Sequence, residues 1–248
     1  MNKKLVITAL AAAAITAVAL MPRRTAPKPP VESPAAPGEQ VIEHFTLEGF
    51  DETGARLWGL QGDVAHVDKN MDVFIEKNVR LTVRDSTLIE SDKVLWKNSS
   101  ARFFTRAPVR ITHQLQKIEG TGAQGRLNDE FLQINQNVRM FLDGPVFVTC
   151  WGPLKIFRKE NRLVLYRDTV IHDSKGKVRA DRLDVYYEDE LGKIKEIVAR
   201  KNVKIQRGEN VSHSDTAIYN AQTQSIRLAG DPKIIVADPD DLQELEGL

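Results

Sequence analysis

Between residues 41 and 236 apolar and polar positions alternate in short runs. Val79, Leu81 and Val83 point one way while Arg80 and Thr82 point the other, and Leu132/Ile134, Val138/Met140/Leu142, Val203/Ile205 and Ile226/Leu228 repeat the pattern. A period of two gives each run one buried and one wet face, which is the mark of a half-buried β-strand. The runs span five to seven residues and are separated by turn formers: Lys69-Asn70, Lys97-Asn98, Asn128-Asp129, Glu160-Asn161, Asp173-Ser174-Lys175-Gly176 and Leu191-Gly192. Phe45-x-Leu47, a turn from Gly49 to Gly54 and the resumed run Leu57-Trp58-Gly59-Leu60 predict a hairpin with a loop longer than two residues. No helical period follows the N-terminal segment. The expected fold is all-β.

Two landmarks recur. The first is a turn signal followed by an apolar pair, as in Lys77-Asn78-Val79-Arg80-Leu81. Its copies place valine-type anchors at 79, 109, 138, 170, 203 and 234, in steps of 30, 29, 32, 33 and 31. The second is small-Asp-x-apolar, found at Gly62-Asp63, Ser91-Asp92, Ala180-Asp181 and Ser214-Asp215. A period near thirty residues with two alternating runs per unit predicts a repeat architecture. Aspartates at one fixed repeat position read as strand-start or turn residues, since catalytic carboxylates act as a unique pair and not a ladder.

The ends differ from this pattern. Lys3 and Lys4 precede an uninterrupted apolar run from Leu5 to Met21, so residues 1–21 form a transmembrane anchor or a signal segment. Ala17-Val18-Ala19 suits cleavage, but no lipid-attachment cysteine follows; basic residues on both flanks give a mixed orientation signal, and the anchor is the preferred reading. Residues 22–40 carry six prolines and predict a semi-rigid stalk. Two β modules are expected, at 41–150 and 151–237, with an acidic tail at 238–248.

Charge and candidate chemistry narrow the function. The 35 basic and 34 acidic residues nearly cancel, which gives no electrostatic reason to bind nucleic acid. The single cysteine, Cys150, excludes an intrachain disulfide and reads as a small buried hydrophobe. Five histidines (His44, His66, His113, His172 and His213) show no metal-ligand spacing. His213-Ser214-Asp215 holds triad residue types, but neighbours on a strand face opposite ways and form no relay. There is no glycine-rich phosphate loop. Neither a catalytic site nor a cofactor or metal is expected.

Phe45-x-Leu47-x-Gly49-Phe50-Asp51-x-x-Gly54-x-x-x-Trp58-x-Leu60-x-Gly62-x-x-Ala65, behind an apolar leader, resembles the start of an LptC-type lipopolysaccharide-export protein. Residues 154–237 resemble the OstA/LptA-type repeat of the same superfamily, through Ala180-Asp181-x-Leu183-x-Val185-Tyr186, Lys201-Asn202-Val203-Lys204-Ile205 and Ser214-Asp215-x-Ala217-x-Tyr219-Asn220. The resemblance implies an OstA/LptA-type β-jellyroll of stacked short antiparallel strands, an open V-shaped sheet pair. It implies lipopolysaccharide as cargo, an inner-membrane lipopolysaccharide ABC transporter as donor, and other OstA/LptA-type bridge proteins as edge-strand partners. The expected location is the inner membrane, held through residues 5–21 with a periplasmic domain, or the soluble periplasm after cleavage. Chains of the LptC type usually end after one such module, whereas this one continues through about six units.

The inward set of the alternation would line a slot for the acyl chains of lipid A: Phe45, Leu47, Trp58, Leu60, Val67, Val79, Leu81, Val94, Trp96, Val109, Ile111, Val138, Met140, Leu183, Val185, Val203, Ile205, Ala217 and Tyr219. The competing reading is an exported β-solenoid scaffold in which the same residues fill a closed core with no ligand. A carbohydrate-cleaving β-helix would need clustered carboxylates that the sequence lacks.

Overall fold

The structure, a computed structural model, describes residues 40–84, 87–114, 116–127, 129–142, 146–188 and 193–236. The expected anchor, the stalk up to residue 39, the acidic tail, Asn128 and the Leu191-Gly192 turn lie outside them. Among the described residues no helix is long and apolar enough to cross a membrane.

The chain forms strands β1 (Gln40–Phe50), β2 (Arg56–Val67), β3 (Val73–Val83), β4 (Thr87–Lys97), β5 (Arg102–His113), β6 (Gln116–Arg126), β7 (Phe131–Phe141), β8 (Phe147–Cys150), β9 (Leu154–Phe157), β10 (Arg162–His172), β11 (Lys177–Tyr187), β12 (Ile194–Arg207), β13 (Asn210–Asn220), β14 (Ser225–Ala229) and β15 (Lys233–Ile235). They make one 15-stranded sheet in chain order. β8 and β9 share the place between β7 and β10, and β14 and β15 share the place beside β13. All pairings are antiparallel, and apart from β9 and β15, which continue beside the same neighbour as β8 and β14, each strand turns back on its predecessor, as at the hairpin loop where the Asp51 carboxylate accepts the N–H groups of Thr53 and Ala55 at 2.8 and 3.0 Å. A solenoid or β-helix stacks parallel coils, so this meander excludes both.

The short runs read from the sequence are halves of longer strands. Lys77-Asn78 lies inside the eleven-residue strand β3. Both residues adopt left-handed φ values, 63° and 50°, and Lys201-Asn202 repeats this at 63° and 52°. Asparagine tolerates that region better than most residues, so the signal for a turn was real but marks a mid-strand bulge. The second landmark is the facing half of the same feature. The Asn78 side-chain amide donates to the Asp63 carboxylate at 2.8 Å, and Asn202 to Asp181 at 2.7 Å. Asp63, Asp92, Asp181 and Asp215 therefore sit in mid-strand and not at strand starts or turns. Register breaks at this level across the stack, between Gln61 and Val64, Glu76 and Val79, Ser91 and Leu95, Thr105 and Pro108, Tyr166 and Thr169, and Arg200 and Val203.

Aligned bulges bend the long strands from β2 to β13 at one height, so the sheet folds along a corner into two facing arms. Inward residues skip the bend by four positions on one set of strands (Ile75 to Val79, Thr105 to Val109, Ile134 to Val138, Ala199 to Val203) and by three on the alternate set (Gly62 to Ala65, Ser91 to Val94, Ala180 to Leu183, Ser214 to Ala217). This is why the two landmarks alternate. The small residue of the second landmark faces into the corner, where the arms converge. A Cβ on Gly62 would lie 2.3 Å from Ile75 Cγ2, and one on Gly120 2.4 Å from Ile134 Cγ2. One anchor moves by a residue: Arg167 and Asp168 are the left-handed pair of β10, so Thr169, and not Val170, occupies the valine slot.

Candidate lipid groove

The arms enclose a continuous apolar interior. One arm carries the cross-strand row Leu60, Leu81, Ile89, Ile111, Ile118, Met140 and Val148. The other carries Val73, Trp96, Phe103, Gly125, Leu132, Ile156, Leu163, Val185, Ile197, Tyr219 and Ile226, partner by partner from β3 to β14. No charged side chain interrupts either row. One cluster of buried residues runs from Phe45 on β1 to Ala217 on β13.

All nineteen residues expected to line the slot point into this interior. Phe45, Leu60, Val67, Val79, Leu81, Val94, Trp96, Val109, Ile111, Val138, Met140, Leu183, Val185, Val203 and Ala217 are buried, while Leu47, Trp58, Ile205 and Tyr219 are half-buried. Trp58 ends the Leu60 arm and Trp96 belongs to the facing arm. Their ring centroids are 4.9 Å apart, so the two indoles close the space between the arms at the N-terminal end. Sequence reasoning read the Leu132/Ile134 alternation without adding it to the slot lining, and missed Ile75, Phe103, Ile118, Ala123, Leu154 and Leu165, which are buried in the same space. Their signal was present as Val73-x-Ile75 and its counterparts, but each mid-strand bulge looked like a boundary and hid the preceding half-strand.

The outer face has a different chemistry. Arg80, Glu90, Arg110, Glu119 and Arg139 are successive cross-strand neighbours of alternating sign, with Arg80–Glu90 at 3.4 Å and Arg110–Glu119 at 3.5 Å. They border a depression of about 540 Å³ over the corner that also includes Asn78, Asp92 and Asn137. It is polar and outside the slot. Among the described residues no His, Cys, Asp and Glu groups gather to hold a metal ion. His213 and Asp215 are exposed while Ser214 faces inward and donates to the Thr216 carbonyl at 3.1 Å, so the three make no relay.

Cys150 lies in one of the small inward slots. Burial pushes its thiol up to about 11, against the weaker pull of the Gly152 and Tyr166 backbone groups. Raising the pKa from 9.0 to about 11 leaves about a hundredfold less thiolate at a given pH. Alkylation of Cys150 by iodoacetamide at pH 8 is therefore expected to run at least about a hundredfold slower in the native chain than in urea. Equal rates would show that the interior is open to solvent.

The described strands form a bent antiparallel stack around an apolar interior, a β-jellyroll. The model of the family "Lipopolysaccharide-assembly, LptC-related" matches residues 7–143, and that of "LptA/(LptD N-terminal domain) LPS transport protein" matches residues 156–247. The chain belongs to the LptC-related lipopolysaccharide-assembly family, with an LptC-like module followed by an LptA-like one. Proteins of this kind serve lipopolysaccharide transport in the cell envelope, have a periplasmic domain, and are not enzymes. Among solved structures the chain is similar to the crystal structure of LptH, the LptA homologous periplasmic component of the lipopolysaccharide transport device of Pseudomonas aeruginosa. That likeness has a TM-score of 0.29 and 10% identity over 61% of this chain and 95% of the other. A comparison with curated proteins returns no match.

Proposed function

We propose that this chain is a bridge segment for lipopolysaccharide, carrying the acyl chains between its two arms while sugars and phosphates stay in water. It takes the lipid from an inner-membrane ABC transporter and passes it towards the outer membrane. Residues 5–21 anchor it, and the segment up to residue 40 holds the strands away from the membrane. The observation that carries this reading is the apolar row from Val73 to Ile226, which crosses without a charged residue from the LptC-like into the LptA-like module. A dozen methylenes buried along it gain roughly 10 kcal/mol gross, at about 0.8 kcal/mol each. Similar burial at every strand leaves no trap along the way.

The sheet is open, so β1 and the β14/β15 pair are its edges. Val41, Ile42 and Phe50 are exposed on the first, and Ile234 and Ile235 on the second. Unpaired edges with apolar side chains recruit a further strand, which suits head-to-tail pairing with a transporter-side domain at one end and another bridge protein at the other.

A photo-crosslinking residue placed singly at Trp96, Arg80 and Ile234 in the native cell tests the reading. Lipopolysaccharide adducts are expected at 96 and not at 80, with protein adducts at 234. A well-folded chain without lipid adducts at 96 or at other inward positions is a scaffold and not a carrier.

A further inference from the structure

Among the described residues the interior holds two polar atoms with no protein partner. Trp96 Nε1 and Thr169 Oγ1 are buried without a hydrogen-bond partner, on residues 2% and 1% exposed. The third such atom, Arg162 Nε, belongs to an outward side chain that pairs with Glu160 at 2.8 Å and stacks on Phe157. Buried polar groups are nearly always paired and an orphan is costly, so a persistent one asks for a reason.

Comparison within the repeat sharpens the point. The slot just past the bulge is Val79, Val109, Val138 and Val203 on four strands and Thr169 on β10. Valine has the same shape without the hydroxyl, and nothing in the packing calls for the oxygen. Other hydroxyls near the corner are satisfied: half-buried Ser91 donates to the Pro108 carbonyl at 2.9 Å, buried Thr105 accepts from Ala107 N–H at 3.0 Å, and buried Ser214 donates to the Thr216 carbonyl. Thr169 differs in leaving its oxygen free in an apolar space.

Resting on the carrier reading above, we propose that the Trp96 indole N–H and the Thr169 hydroxyl are two stations that hydrogen-bond oxygen atoms borne on the acyl chains of the cargo. Trp96 can only donate, so its ligand must bring an acceptor: an ester or amide carbonyl, or a hydroxyl on the chain. A bare hydrocarbon satisfies neither residue. The stations select acyl chains with oxygen inside the slot over chains that are apolar throughout. They stand on β4 and β10, five strand places apart in the sheet, or about 24 Å at about 4.8 Å per strand. One lies in each matched module, so the cargo meets a polar stop before and after the module boundary.

The test uses the full chain, isotope-labelled and held in amphipol, titrated with purified lipopolysaccharide. A Trp58→Leu background removes the ring current of the neighbouring indole. As methyl signals of the interior shift, the Trp96 indole proton is expected to move downfield while that of exposed Trp151 stays. Thr169→Val is expected to bind lipopolysaccharide about five-fold more weakly while the free variant melts higher, because an unpaired buried hydroxyl has gone. A static Trp96 proton, or unchanged affinity in Thr169→Val, alongside shifting interior methyls removes that station and leaves the carrier reading standing. Interior methyls that never respond to lipopolysaccharide overturn the carrier reading and both stations with it.

Discussion

Tethering the arms across the slot is expected to abolish lipopolysaccharide transport to background. In the free chain the interior is filled by its own side chains, so an acyl chain enters only if the arms part. The Trp58–Trp96 contact spans them directly at 4.9 Å. Cysteines placed at both positions, with Cys150→Ala to remove the native thiol, can be joined by a short cleavable bifunctional reagent. A tether between two residues of the same arm, such as 81 and 111, puts no limit on separation and serves as the control. Untreated double variant should carry lipid, more weakly for want of the Trp96 indole; tethered protein should carry none, and cleavage of the tether should restore transport to the untreated level. Transport by the tethered chain would place the lipid outside the slot and end the carrier proposal.

That experiment rests on a geometry only half visible in the sequence. The alternation of Val79-x-Leu81 and its copies is a direct imprint of the pleat, so strand type and inward face could be read residue by residue. The corner could not. Lys-Asn before a strand and Lys-Asn inside one have the same composition, because both use the left-handed tolerance of asparagine. Only pairing with the facing strand, through Asn78 to Asp63 and Asn202 to Asp181, distinguishes a bulge from a turn. The same ambiguity put the fourth anchor on Val170, since a valine is the expected occupant and Thr169 breaks the pattern in the very residue that carries unpaired chemistry.

Parity also misled on the outer face. Asp184, between inward Leu183 and Val185, should be wet by alternation, yet it is 1% exposed. Its cross-strand partners Val164 and Val198 are buried too, because long side chains lie over this part of the sheet. Arg182 covers it, stacking over Tyr166 at 5.3 Å and donating to both Asp184 carboxylate oxygens at 2.8 and 2.6 Å. Alternation reports the pleat and says nothing about what the solvent-side chains then do to one another.

Removing that cover is expected to give the largest stability loss outside the interior. Arg182→Met keeps the apolar stem but leaves the Asp184 carboxylate buried with Arg200 alone, whose Nε lies 3.5 Å away. Breaking a buried pair from one side costs about 3–5 kcal/mol, and because Arg182 itself is partly exposed the lower figure is expected. Against a domain stability of about 5–15 kcal/mol, this is a large fraction, visible as a drop in the urea midpoint. The companion Asp184→Leu removes the charge that needs the partner, so the double variant Arg182→Met/Asp184→Leu should recover most of the loss. If the single Arg182→Met variant is as stable as the parent, water reaches Asp184 and the outer layer is not the closed cover described. If the double variant is no better than the single, Arg182 acts by packing on Tyr166 and not through its charge. Either way lipopolysaccharide adducts at 96 should persist in the folded fraction, because the cover lies on the opposite side of the sheet from the slot.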